Sequence, residues 1–202
     1  MRRFVTGLLI LLVVAVEYST AADSRVERQM TPEIIEEAIR MGSTEKVKPY
    51  KAIFGSSQPC YYSTPFIRVA LAAQDAKRNY KPFTAADVTE DLIAPELHVY
   101  AEAHEVRTLR SPLKRGEVRD AIGVTAVVVA RKKAKEPDNV IQPLRTLAVP
   151  VSVKNLFGAV FEATGMTAAF PIDALDNDRE IRVVYTNGKE RAFRFEGIGR
   201  VR

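Results

Sequence analysis

The chain of 202 residues predicts an α+β fold: a C-terminal antiparallel β-sandwich of immunoglobulin-like architecture carrying a small helical N-terminal part. Three observations lead there. Two stretches before residue 95 repeat apolar residues at three- and four-residue spacing behind Thr-Pro starts. The chain after residue 95 alternates with period two, and turn residues divide that half into about seven short strands. The likeness to antibody domains is one of architecture alone, because the sequence holds one cysteine and no tryptophan where those domains keep a cysteine pair and a buried tryptophan.

Residues 1–22 read as an export signal. Arg2 and Arg3 precede an apolar run from Phe4 to Val16, and Ser19, Thr20, Ala21 and Ala22 supply the small residues a signal peptidase cuts behind. The run stops at Glu17, short of the roughly 20 residues a spanning helix needs. General secretion suits this short charged start and very apolar run better than the twin-arginine route. The expected product is periplasmic or extracellular, begins near Ala22 or Asp23, and has no membrane span. No cysteine follows the run to carry a lipid. Losing Arg2, Arg3 and Glu17 lowers the formal net charge from +5 to +4. That mild basicity favours anionic surfaces without choosing among them.

The expected helix-rich part covers 23–94. Thr31 as N-cap, Pro32 and Glu33 start a helix whose stripe is Ile34, Ile35, Ala38 and Ile39, with Gly42 placed to end it. A short strand is expected near Tyr50 to Phe54. Ser63-Thr64-Pro65 starts a second helix to about Asn79, with Phe66, Val69, Ala70, Ala73 and Ala76 on one face and Arg68, Gln74, Lys77 and Arg78 on the other. Thr84 to Asp87 caps a short third helix that Pro95 stops.

The sandwich is expected over 95–202. Leu97, Val99 and Ala101 should face one way and His98, Tyr100 and Glu102 the other. Val124 to Val129 reads as a buried central strand. Pro143 and Pro150 limit the run from Val140 to Lys154 to edges, bends or two pieces. Phe157 to Phe170 resembles a hairpin broken at Gly165, and Pro171 to Asp178 a helical corner. For Asn187-Gly188 two registers compete. A two-residue turn pairs Ile181 with Arg194, whereas a three-residue loop with a left-handed Gly188 pairs Ile181 with Phe193 and Val183 with Arg191. The second gathers Ile181, Val183, Tyr185, Phe193 and Phe195 on one face, and is preferred.

Few constellations carry chemistry. His98, Tyr100, Glu102 and His104 alternate onto one strand face, but His98 and His104 would stand roughly 20 Å apart and cannot share an ion. Glu102 and His104 could give two metal ligands where catalytic zinc takes three. Cys60 lies just before the second helix, whose N-terminus could lower its pKa, with His98 or His104 as base. An unpaired cysteine is otherwise a buried hydrophobe or an intermolecular link. Basic runs at Arg107 to Arg119 and Arg131 to Lys135 lack the interleaved aromatics of nucleic-acid binders. The acidic residues Asp173, Asp176 and Asp178 do not match a calcium loop. Phosphate-loop, nucleophile-elbow and zinc-peptidase motifs are missing. The expectation is an exported, non-catalytic module that binds a protein or an anionic envelope polymer, with no cofactor and no nucleic-acid partner. The alternative is an exported hydrolase or thiol-dependent enzyme using Cys60 with a histidine. Nothing in the sequence sets the oligomeric state.

Overall fold

The structure, a computed structural model, describes residues 29–52, 60–103, 122–132, 140–154 and 160–195. The expected export segment, His104, the first basic run and most of the second lie outside the described residues. Helix and sheet are mixed, with nine strands in two antiparallel sheets among the described residues. None of the described helices is long and apolar enough to cross a membrane.

Helix α1 spans Pro32–Thr44, with the Thr31 hydroxyl accepting from the Ile34 N–H as expected of an N-cap. Gly42 does not end it. A Cβ there would stand 2.0 Å from the Ala70 carbonyl oxygen, so this glycine lets α1 close onto α2, Pro65–Arg78. Ala38, Val47, Phe66, Ile67, Val69 and Ala70 form the buried centre of the pair. Thr64 takes the N-cap backbone conformation of α2, but its hydroxyl makes no cap bond and is buried without a partner among the described residues. The expected third helix is two pieces. A 3-10 turn at Ala85–Asp87, closed by a Thr84–Asp87 capping box, precedes α3 at Glu90–Ile93.

The five-stranded sheet runs β1-β2-β3-β7-β6, built from Tyr50–Ala52, Cys60–Ser63, Glu96–Ala101, Val160–Pro171 and Arg145–Lys154 respectively. Strands β1 and β2 therefore lie before the expected boundary at residue 95 yet hydrogen-bond into the sheet that β3 opens. The four-stranded sheet runs β5-β4-β8-β9, from Val140–Ile141, Val124–Arg131, Arg179–Tyr185 and Glu190–Arg194. β4 is central there, as its β-branched run suggests. A 3-10 corner at Ile172–Ala174 leads towards β8.

Two expectations about strands resolve differently. The run from Val140 splits into β5 and β6 around Pro143, with Pro150 in an edge strand. The hairpin expected at Gly165 does not form; β7 runs through it. A side chain at 165 would meet the Ala101 carbonyl at 3.0 Å and the Tyr100 ring at 3.5 Å, so glycine serves close strand approach and not a turn. In the last hairpin Gly188 has φ +75°, and Ile181 pairs with Phe193 and Val183 with Arg191, the preferred register.

One buried cluster takes residues from both sheets: Cys60, Tyr62, Leu97, Val99 and Phe170 from the larger, Val127, Val129, Ile181, Val183 and Phe193 from the smaller. Tyr62 stacks on Tyr50 at 5.1 Å and meets Phe195 edge-on at 5.2 Å. Each fully buried large side chain contributes about 1.5–3 kcal/mol relative to exposure.

Candidate functional site

The feature that the fold's own packing does not explain sits where α2 ends. Gln74, buried, donates to the Val47 carbonyl (2.9 Å) and accepts from the Val47 N–H (3.1 Å), holding the chain after α1 along α2. Lys77 donates to the Ser43 carbonyl. The helix then closes with two bonds, Tyr80 N–H to the Lys77 carbonyl (3.1 Å) and Lys81 N–H to the Ala76 carbonyl (2.9 Å). That pattern is a Schellman closure, and it demands a left-handed residue at its turn. Glycine usually fills such a position. Here it is Tyr80, with φ +54° and 97% exposure.

A cleft of about 440 Å³ opens beside it, lined by Ser43, Ala73, Lys77, Tyr80, Lys81, Pro82 and Phe83. Phe83 packs against the buried helical cluster, and Ala73 beside it is buried, so part of the lining is apolar. Lys77 keeps two ammonium hydrogens beyond the one given to Ser43, and Lys81 follows the turn. Lys77 and Arg78 also answer the negative end of the helix, and Arg78 pairs with Asp75 at 3.2 Å. The cleft thus joins an exposed aromatic face to two cations.

The second polar group lies on the outer face of the larger sheet. Register places Ser63, His98, Ala169 and Arg145 in one row across β2, β3, β7 and β6. Ala169 presents only a methyl group, and Arg145 reaches Glu96 at 2.8 and 3.1 Å and Asp91 at 2.7 Å. His98 Nε2 stands 3.1 Å from Glu96 Oε2. Burial, helped by the Arg68 charge, lowers the His98 pKa, so the ring is neutral at neutral pH and its Nε2–H donates to the carboxylate. Arg68 itself is 7% exposed, donating to the Leu92 (3.2 Å), Ala94 (2.6 Å) and Glu96 (2.7 Å) carbonyls. The helical spacing puts it, with Gln74, on the face of α2 opposite Phe66, Val69 and Ala70. Both are buried instead, and each gives its donors to backbone carbonyls of a distant segment. Their helical spacing carries no sign of this; only the chain folding back over α2 creates it.

Of the residues singled out by sequence, the described ones, Cys60, His98 and Glu102, lie on two faces of the larger sheet. Cys60 is fully buried in β2, and burial pushes its thiol up to about 12, opposite to activation by a helix N-terminus. Its side chain belongs to the core face, whereas His98 lies on the outer face. Glu102 continues the outer row of His98 and Tyr100, and burial raises its carboxyl pKa. Tyr61 and Tyr100, paired across β2 and β3, have phenols raised by burial and then by Glu102. Among the described residues no group of three or more His, Cys, Asp or Glu side chains could hold a metal ion. Asp173, Asp176 and Asp178 border the 3-10 corner, where Asp176 accepts from the Asp178 N–H at 3.0 Å.

No family model matches the chain, and neither the curated proteins nor the solved structures contain a match to it.

Proposed function

We propose that the protein is an exported, non-catalytic binding module, working in the periplasm or outside the cell after loss of 1–22, that attaches to an anionic envelope glycan. In this reading the two sheets form a sandwich of immunoglobulin-like architecture, and the helical pair presents the binding cleft at the end of α2. The observation that carries it is Tyr80: a large aromatic, 97% exposed, held at φ +54° where glycine would be more stable, beside Lys77 and Lys81. A sugar ring stacks on the phenol face, and acidic groups on the polymer meet the two ammonium groups. Stacking supplies selectivity for rings; the charges supply salt-sensitive attraction.

The test is co-sedimentation with isolated envelope material and with polygalacturonate as a soluble acidic glycan. Wild type should bind both, more weakly as salt rises, while Tyr80→Gly and Lys81→Glu should bind neither. Retention by Tyr80→Gly equal to wild type would sink the reading. A thiol-enzyme alternative has no supporting observation around Cys60, whose sulfur is enclosed in the core.

A further inference from the structure

Of the four strands that border the two sheets, three carry the features that keep sheet edges from pairing with another chain. Within the described residues β1 is three residues long and β5 two, too short there to template a ladder. β9, five residues, presents Glu190, Arg191 and Arg194. β6 is different. It is ten residues long, and from Thr146 to Val153 it carries no charge. Leu147 is 67% exposed on it, and Leu144, just before it, is 60% exposed; with Tyr80 these are the exposed large hydrophobic residues among those described.

We infer that β6 is a self-association edge, pairing antiparallel with β6 of a second copy of this chain about a two-fold axis at Leu147. Among the described residues no strand pairs with the outer edge of β6, and its outward N–H and C=O groups offer a ladder to another strand. A copy of the same strand fits by symmetry whenever no like charges oppose each other. With Leu147 opposite its own counterpart, Arg145 of one copy faces Val149 of the other, so the two arginines lie at opposite ends of the ladder. Each is also already paired with Glu96 and Asp91 of its own chain. Pro150, which has no N–H to give, falls opposite Leu144 at the end of the paired segment and stops the ladder from lengthening. The two exposed leucines of each copy are thereby covered. This inference stands independently of the Tyr80 cleft.

Sedimentation equilibrium of the full chain as its host processes it tests the idea. Wild type should show a reversible dimer. Leu147→Lys, which sets two ammonium groups against each other at the axis, should abolish the dimer without lowering the melting temperature, since the site is exposed. Leu147→Cys should form a disulfide-linked dimer under mild oxidation, because directly opposed residues on antiparallel strands stand about 4.5–5.5 Å apart at Cα, within disulfide range. Ser152→Cys should not, since its opposite number falls beyond β6. A wild type that stays monomeric at every soluble concentration overturns the inference, as does a dimer that survives Leu147→Lys, or a Ser152→Cys chain that cross-links as readily as Leu147→Cys.

Discussion

Cys60 and His98 occupy adjacent strands of one sheet and point to opposite faces of it. Cys60 is registered with Ala101, and His98 with Ser63, three positions further along β2. An odd separation along a pleated strand reverses the side-chain direction. The sheet itself therefore stands between thiol and imidazole, and no rotamer change brings them together.

The thiol should accordingly be inert while the fold is intact. A thiol reagent such as Ellman's should modify Cys60 only at the rate of unfolding, and stoichiometrically in denaturant. Cys60→Ala should cost about 1 kcal/mol, and Cys60→Ser about 2 kcal/mol because a hydroxyl enters the core. Fast labelling of native protein would contradict the burial.

Titration of the buried acids sets an alkaline limit. Burial raises Cys60 from 9.0 to about 12 and Tyr185 from 10.0 to about 12. Both folded-state values lie above the unfolded ones, so these groups leave stability intact below about pH 9, and stability falls as pH rises from there towards about 12. His98 acts at the other end. Its folded value lies below 6.5, so its contribution is present above that pH and is lost as pH falls through the depressed value. Urea midpoints measured across pH should show a plateau bounded on both sides. The acid limb should move with a His98→Asn change, and the alkaline limb should not.

Tyr80→Gly separates stability from binding. Removing the side chain from a left-handed position should stabilise the fold by about 1 kcal/mol, because glycine adopts φ +54° without strain. The same change removes the ring that borders the cleft. A higher melting temperature together with lost polymer binding is the expected pair of results. A lower melting temperature would mean that the phenol supports the fold in some way its exposure does not suggest.

Arg68 should be among the most sensitive positions outside the apolar core. Arg68→Ala removes a donor from the Leu92, Ala94 and Glu96 carbonyls, of which Ala94 keeps the Glu96 N–H, and should cost about 3 kcal/mol. Arg68→Lys should recover only part of this, because one ammonium cannot reproduce the planar fork that spans three carbonyls. Equal stability of the lysine variant and wild type would show that a single contact suffices. Differential scanning calorimetry reads both.

Gly42→Ala tests the contact between the helices. Its Cβ would meet backbone, the Ala70 carbonyl oxygen, and no side chain there can move aside. The expected cost is about 3 kcal/mol, measured by urea unfolding, in place of the small gain that alanine normally brings to a helix interior.

Much of the architecture was legible from local pattern. Thr31-Pro32 and Pro65 locate the helix starts, period two orients Leu97, Val99 and Ala101 inward, and the demand that Phe193 join Ile181 and Val183 selects the hairpin register. These are decisions made by a few neighbouring residues, each with its own energetic preference. The burial of Cys60 is what an unpaired cysteine most often shows, whereas the partners of Arg68 and Gln74 and the purposes of Gly42 and Gly165 were not legible. In each case the deciding atom belongs to a segment distant in sequence: the Ala94 carbonyl for Arg68, Val47 for Gln74, Ala70 for Gly42, Ala101 for Gly165. Sequence by itself determined the types of most elements and which faces turn inward, because periodicity and capping act within a turn or a strand. Only the tertiary structure decided which polar groups are buried and which edge stays open, because desolvation and hydrogen-bond satisfaction depend on what the rest of the chain lays across each residue.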